Sequence, residues 1–223
     1  RALLAKVENV KLGTAERVEA AGRLLEGMRT ARRFSTLAQL AAQVGAVAGL
    51  NVDEPVAYGA FAAPLGLHRY DEALQAGEQY LKRFPTGPHF TAVEQQMNEV
   101  VSARKKRASR QKEYEADLAE KRAGCSGKKS LECDWAGCIA ARWNSLVGKT
   151  MLENCSEFLR LRVGDTSPEA AEKLAAARFF VALSHVELGQ WALAKPLLAD
   201  VERSLVREWD EDIAKLRAVW PTD

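Results

Sequence analysis

The sequence predicts an all-α fold, and three observations lead to this prediction. Apolar residues recur at three- and four-residue spacing along nearly the whole chain, in segments of about 12 to 20 residues. These segments are separated by glycine, proline, asparagine or aspartate, which are typical of helix ends and turns. Alanine is abundant, and we find no run of alternating apolar and polar residues that would indicate a strand.

The composition agrees with a helical, well-packed protein. The chain has 223 residues, of which 47% are apolar and 28% are charged, and this suits one large or two small domains. A formal charge of +2 gives no overall field for nucleic acid or acidic lipid, so any basic site must be local. In chain order, the predicted helices span residues 2–12, 14–30, 34–49, 54–66, 70–84, 89–123, 134–147, 149–162, 167–188, 190–206 and 208–218.

Two turns between these helices have a local cause. Pro85 and Pro88 bracket a Thr-Gly pair and end a helix, because proline removes a backbone donor and fixes its own φ. Further along, Ser167 suits the N-cap of a helix and Pro168 its first position. Glu169 then opposes the positive end of the helix dipole. We therefore expect a helix to begin at Ser167.

Three segments share a pattern where one helix ends and the next begins. Residues 70–88 and 155–168 each end a helix with an aromatic residue, leucine and a basic residue, and then turn towards proline. The aromatic residues, Tyr80 and Phe158, are separated by about two helix-hairpin repeats. Residues 182–198 carry Leu-Gly-x-aromatic-x-x-Ala between two helices. A hairpin cannot bury its apolar face alone, so such repeats are expected to stack.

These residues resemble the tetratricopeptide-repeat family, particularly its bacterial envelope and outer-membrane-assembly members. The first match to the family's inter-helix turn and small packing position comprises Ala182, Leu188, Gly189, Trp191 and Ala194. The second match comprises Leu65, Gly66, Tyr70, Ala73, Phe84 and Pro85. Gly77 stands where the family has an aromatic residue, and Pro64 lies inside a first helix. The resemblance implies an α-α superhelix of helical hairpins that binds other proteins.

The expected organisation has four parts, and the resemblance covers residues 54–88 and 132–206. The parts are N-terminal helical hairpins over 1–53, a tetratricopeptide-like repeat over 54–88, a long charged helix and a cysteine-bounded loop over 89–131, and repeats with a C-terminal capping helix over 132–223.

If the family's register applies, five residues project from first helices towards a concave groove. They are Tyr58, Trp143, Asn144, Phe179 and Glu187. Aromatic anchors with a few polar groups are what a peptide-binding site requires. The alternative is that Trp143 and Phe179 fill the core between repeats.

The long helix predicted over 89–123 carries a basic patch. The patch comprises Arg104, Lys105, Lys106, Arg107 and Arg110, with Lys112 beside it. It suits an acidic partner, anionic lipid headgroups or a nucleic-acid backbone, although the lack of interleaved aromatic residues argues against nucleic acid. The alternative is a solvated helix whose basic residues are balanced by Glu113, Glu115, Asp117 and Glu120.

Four cysteines, Cys125, Cys133, Cys138 and Cys155, lie within 31 residues of an otherwise cysteine-free chain. Cys138 and Cys155 are expected on opposing helices of one hairpin, whereas Cys125 and Cys133 bracket a loop. Disulfides in these pairs imply an oxidising compartment, hence the periplasm or the cell exterior. A zinc site made of all four cysteines and four free thiols in a cytosolic chain are the alternatives.

We find no motif that indicates catalysis, a cofactor or a resident metal. Gly148-Lys149-Thr150 lacks the first glycine of a phosphate-binding loop, whose place Trp143 takes. His68 and His185 have no neighbour in sequence that suggests a base or a metal ligand. No stretch reaches the ~18 apolar residues of a membrane span, and the start at Arg1 without Met suggests a processed or excised form.

The leading hypothesis is a non-enzymatic interaction scaffold or adaptor of a bacterial cell-envelope complex, which holds a partner peptide or subunit in a helical groove. We expect a periplasmic or otherwise extracytoplasmic location, no nucleic-acid partner, and membrane contact only at the periphery or through an anchor outside this sequence. The alternatives are a helical accessory domain of a larger enzyme and a cytosolic regulatory sensor with the same fold.

Overall fold

The structure is a computed structural model that describes residues 2–47, 50, 52–125, 130–204 and 207–222. In these residues the regular elements are all α-helices, which confirms the predicted fold class. In chain order the helices are α1 (Ala2–Glu8), α2 (Thr14–Thr30), α3 (Phe34–Gly45), α4 (Asp53–Gly66), α5 (Tyr70–Arg83), α6 (Phe90–Ala123), α7 (Leu131–Trp143), α8 (Lys149–Leu161), α9 (Pro168–Glu187), α10 (Trp191–Arg203) and α11 (Asp210–Ala218).

The chain divides into two compact units. Unit 1 comprises Arg1–Val101 together with Val219–Asp223, and unit 2 comprises Ser102–Ala218. The division falls inside α6, which therefore contributes residues to both units.

Residues after α11 return to unit 1 and bond to the end of α2. The backbone N–H of Thr222 donates to the carbonyl of Arg32 at 3.2 Å, and its hydroxyl donates to the carbonyl of Ala31 at 2.7 Å. Carbonyl groups at a helix end lack partners within the helix. Thr222 thus satisfies two carbonyls just beyond the last turn of α2.

Unit 1 buries mainly aliphatic side chains and alanines between consecutive helices. Val7 of α1, Leu24 of α2 and Val44 of α3 belong to one buried cluster. Phe61 of α4 and Tyr80 of α5 belong to another, in which Tyr80 is the largest fully buried side chain. Each amphipathic helix thereby covers the apolar face of its neighbour in sequence.

Unit 2 builds its core around aromatic rings. Trp135 of α7 makes an edge contact with Phe158 of α8, with ring centroids 4.9 Å apart, and stacks on Phe180 of α9 at 6.2 Å. Phe179 of α9 stacks on Trp209 at 4.8 Å. Aromatic side chains bury large areas, so these contacts fix α7, α8 and α9 against one another.

The predicted helix start at Ser167 is confirmed. Its hydroxyl accepts a hydrogen bond from the N–H of Ala170 at 3.4 Å, and Pro168 is the first residue of α9. Ala73, Ala182 and Ala194, which the resemblance places at the family's inter-helix turn and small packing position, are buried. The superhelical stacking of the repeats and the four-part organisation stay predictions.

Helix α7 differs from its predicted span at both ends. It begins at Leu131, three residues early, because the hydroxyl of Ser130 accepts a hydrogen bond from the N–H of Cys133 at 3.2 Å. It ends at Trp143, four residues early, because Ser145 takes a left-handed φ of 53°. The first difference comes from a side-chain cap, and the second comes from the backbone conformation of Ser145.

Other predicted helices end a few residues too late. Helix α1 stops at Glu8 because the side chain of Asn9 accepts a hydrogen bond from the N–H of Lys11 at 3.0 Å. Helix α3 stops at Gly45 and α10 at Arg203. The predicted continuations over 48–49 and 205–206 lie outside the described residues.

Candidate functional site

A disulfide joins two neighbouring helices of unit 2. Cys138 of α7 is bonded to Cys155 of α8, with Cα atoms 4.5 Å apart, and both residues are fully buried. Gly137 lies beside it, and a Cβ there would fall 2.5 Å from Oδ1 of Asn154. The absence of a side chain at Gly137 therefore lets α8 approach α7 closely enough for the bond.

A second disulfide closes the loop that follows α6. Cys125 is bonded to Cys133, with Cα atoms 5.6 Å apart, and the enclosed residues 126–129 lie outside the described residues. The two predicted cysteine pairs are thus confirmed, and neither the four-thiolate zinc site nor the free-thiol alternative fits this arrangement. Within the described residues, no group of three His, Cys, Asp or Glu side chains is placed to hold a metal ion.

Unit 2 also contains an open cleft of about 540 Å³ that is lined by four aromatic rings. Trp135 and Trp143 come from α7, Phe180 comes from α9, and Trp209 directly precedes α11. Three of these rings are buried in the core, whereas Trp143 is 65% exposed. The cleft therefore combines a rigid aromatic wall with one ring that is open to solvent.

Four charged side chains share this cleft. The guanidinium of Arg142 lies 5.7 Å from the centroid of a wall ring, and Nζ of Lys173 lies 3.1 Å from a carboxylate oxygen of Glu132. Glu172 and Glu208 are exposed, and neither makes an ion pair or hydrogen bond with any described residue. Lys173 is neutralised by Glu132, whereas the ring contact of Arg142 leaves its positive charge uncompensated. Among the described residues that line the cleft, one unpaired cation therefore faces two unpaired glutamates, and the net charge of the cleft is negative.

The wall of the cleft holds a hydrogen-bond donor without an acceptor. The indole N–H of Trp209 is buried and finds no partner among the described residues. An unsatisfied buried donor costs about 1 to 3 kcal/mol.

Of the five predicted groove residues, Trp143 is the one that lines the cleft. Nζ of Lys121 in α6 lies 4.0 Å from the centroid of its ring, which shows that the ring accepts a cation on its face. Asn144 does not line the cleft, because its side-chain N–H₂ donates to the carboxylate of Asp117 in α6 at 3.2 Å. Asn144 therefore ties α6 to the end of α7.

Two further predicted groove residues already have partners within the chain. Phe179 does not project towards a groove, because it is 2% exposed and stacks on Trp209 in the core, which is the alternative stated from the sequence. Glu187 is partly buried, and its carboxylate accepts a hydrogen bond from Nη2 of Arg107 at 2.5 Å. Glu187 and the basic patch, which the sequence treats as separate sites, therefore meet.

Tyr58 lies in unit 1, whereas the other four groove residues lie in unit 2. It lines a pocket of about 190 Å³ and stacks on His89, with ring centroids 3.8 Å apart and planes 9° from parallel. Glu26 and Arg29 of α2 line the same pocket as an ion pair at 2.5 Å. Burial raises the pKa of Tyr58, and the hydrogen bond from Arg29 lowers the pKa of Glu26.

Glu54, Tyr80 and His89 form a hydrogen-bonded cluster beside this pocket, and the sequence does not predict it. The carboxylate of Glu54 accepts a bond from the hydroxyl of Tyr80 at 2.5 Å and lies 2.8 Å from Nδ1 of His89. Burial, followed by the bond to Glu54, raises the pKa of Tyr80. The three residues come from α4, from α5 and from the start of α6, so no sequence spacing joins them.

The basic patch lies on the part of α6 that belongs to unit 2. Arg104, Lys105 and Lys106 are exposed, whereas Arg107 and Arg110 are partly covered. The balancing ion pairs with Glu113, Glu115 and Glu120 are absent from the described residues. Asp117 pairs instead with Lys121 at 3.5 Å.

No protein-family model matches the chain, and neither a curated protein nor a solved structure matches it. The resemblance to the tetratricopeptide family therefore rests on the sequence motifs alone. Among the described helices, none combines the length and the apolar character that crossing a bilayer requires.

Proposed function

We propose that this chain is a non-enzymatic interaction module of a bacterial cell-envelope complex, and that the cleft of unit 2 binds a peptide segment of a partner protein. The segment presents a lysine or arginine side chain to the cleft. The observation that carries this proposal is the exposed ring of Trp143, which stands beside a buried aromatic wall and two unpaired glutamates.

The charge of the cleft favours a cationic side chain. Glu172 and Glu208 have no partner among the described residues, while Lys173 is paired with Glu132 and Arg142 contacts only a ring, so two carboxylates outweigh one unpaired cation. A cation over an aromatic face gains about 0.5 to 2 kcal/mol, and more where water is excluded. Lys121 already occupies one position over the ring of Trp143 within the chain itself. A lysine or arginine of a partner would use the same chemistry inside the cleft.

The form of the cleft favours a peptide. Its volume of about 540 Å³ matches a few side chains, and it is open to solvent. Interfaces gain most of their binding free energy from a few aromatic and arginine anchors in desolvated pockets. Trp143 is the large, exposed anchor of this kind in the cleft.

The two disulfides favour an oxidising compartment over the cytosol. They therefore support the periplasm for this module and count against the alternative of a cytosolic sensor. The tetratricopeptide-like motifs support the envelope complex, because the members that this sequence resembles belong there.

The cleft is tested with immobilised peptides in which a central lysine or arginine is exchanged for alanine or glutamate. We expect peptides with the basic residue to bind most tightly. Trp143→Ala should weaken this binding about tenfold or more, because it removes the exposed aromatic anchor. Glu172→Gln/Glu208→Gln should weaken it about threefold to tenfold, because exposed charge pairs are worth up to about 1 kcal/mol each.

Glu169→Gln is the matched control, because this residue is an exposed glutamate of α9 outside the cleft. It should leave peptide binding unchanged. Equal binding of the lysine and glutamate peptides, or unchanged binding in Trp143→Ala, would show that the cleft does not have this function.

The compartment is tested by alkylating thiols in protein recovered from its native host before denaturation, and by reading the mass with and without reductant. Because the four cysteines form two bonds, we expect alkylation only after reduction. Four thiols that react without reductant would contradict the extracytoplasmic location.

A further inference from the structure

The exposed charges of α6 are sorted along the helix rather than mixed. From Arg104 to Lys112 the helix carries only basic charges, and from Glu113 to Glu120 it carries only acidic ones. Within one helix, opposite charges stabilise each other best when they lie three or four residues apart and the acidic residue comes first. In this part of α6 the basic residues come first, and that arrangement is less favourable within one helix.

Most of these charges are unpaired in the structure. Lys105, Lys106 and Lys112 are exposed and make no ion pair with a described residue, and Glu113 and Glu120 are in the same state. The covered side of α6 is different, because Arg107 bonds to Glu187 and Asp117 to Lys121. Arg107 and Asp117 thus have charged partners within the chain, whereas these five exposed charges do not.

We infer that the exposed face of α6 pairs antiparallel with the same face of a second copy of this chain. When two copies cross between residues 112 and 113, the basic half of each helix lies against the acidic half of the other. Lys105 and Lys106 of one copy then lie level with Glu120 of the other copy, and the two-fold symmetry forms this contact twice.

The residues between the charges permit this approach. Ser109 and Ala116 lie close to the crossing point on the same helix face, since they are seven residues apart. Both are small and exposed, so the two helices can come close enough for the lysine and glutamate side chains to meet. A membrane surface or a nucleic acid would match the basic half only and would be repelled by the acidic half.

This surface is independent of the cleft, because none of its charged residues lines the cleft. The proposed function and the self-association can therefore fail separately. Peptide binding measured at concentrations at which the chain is monomeric reports the cleft alone.

Sedimentation velocity of the oxidised protein, at low and at physiological salt, tests the inference. We expect a dimer at low salt that dissociates as salt rises, because the contacts are exposed ion pairs. Lys105→Glu should weaken the dimer about tenfold, since each of the two symmetric contacts turns from attraction into repulsion. Glu120→Lys should weaken it to a similar extent.

A charge exchange separates pairing from misfolding. The double variant K105E/E120K should regain the dimer, and an equimolar mixture of the two single variants should form a heterodimer, because every contact is again between opposite charges. Lys195→Glu, an exposed lysine of α10, is the matched control and should leave the dimer intact.

A chain that stays monomeric at low salt and high concentration would overturn the inference. So would a double variant that is as weak as the single variants. Binding of the monomer to vesicles of anionic lipid, lost in Lys105→Glu and kept in Glu120→Lys, would instead assign the basic patch to a membrane surface.

Discussion

Unit 1 and unit 2 tie neighbouring helices together by different chemistry. In unit 2 the bond between Cys138 and Cys155 joins α7 to α8, the two helices that also meet through the rings of Trp135 and Phe158. Unit 1 has no cysteine in its sequence. There the carboxylate of Glu54 accepts a hydrogen bond from the hydroxyl of Tyr80 and lies beside His89. A disulfide is insensitive to moderate changes of pH. The hydrogen bond that the Tyr80 phenol donates is lost once the phenol ionises. The two units should therefore respond to different stresses.

The largest effect is expected from removing the disulfide between α7 and α8. Cys138→Ala/Cys155→Ala should lower the free energy of unfolding of unit 2 by about 3 kcal/mol, because closing a loop of this length restricts the unfolded chain by that amount. Hydrogen exchange read by mass spectrometry on peptides from each unit measures the change. Exchange should rise over α7 and α8 and stay unchanged over α2 to α5.

Cys125→Ala/Cys133→Ala is the matched comparison, because it leaves the bond between α7 and α8 in place. It should raise exchange near the end of α6 and the start of α7. Equal loss of protection in both units after removal of Cys138 and Cys155 would mean that the units do not unfold separately.

A smaller effect is expected in unit 1 from Tyr80→Phe. It should cost about 1 to 2 kcal/mol near neutral pH, because it removes one hydrogen bond to a charged group. The pKa of Tyr80 is raised by burial, so the folded state keeps its proton above the pH near 10 at which an unfolded tyrosine ionises. Stability from this group is therefore present at neutral pH and falls as pH rises above about 10.

The measurement is hydrogen exchange at equal chemical rates on either side of pH 10, read over α4 and α5. Tyr80→Phe should show less alkaline loss of protection in these helices than the unmodified chain. The same alkaline loss in both proteins would show that another group governs the behaviour of unit 1.

The sequence predicts best those features that depend on residues close to one another in the chain, such as helix starts and the pairing of nearby cysteines. Ser167 and Pro168 begin a helix because cap and first-turn preferences act within a few residues. Cys138 and Cys155 could be paired because they lie on two consecutive helices joined by a short turn. Short-range geometry of this kind needs no knowledge of the tertiary packing.

The sequence predicts the cleft poorly because helix periodicity does not assign its residues. In α9 both Phe179 and Phe180 are buried, as are Ala175 and Ala177, so no single apolar face indicates which ring reaches a site. Trp209 lies far along the chain from the residues of α7 that it joins in the cleft. Similarly, the sequence gives no sign that Glu187 pairs with Arg107, because the two residues lie 80 positions apart in the chain.

The return of Thr222 to unit 1 determines the order in which the two units can complete their folding during synthesis. Unit 2 is inserted between two parts of unit 1, so the ribosome must complete residues 102–218 before Thr222 can reach the carbonyls of Ala31 and Arg32. The end of α2 therefore lacks these two hydrogen bonds while unit 2, about half of the protein, is synthesised. The unit that is translated first is the one that is finished last.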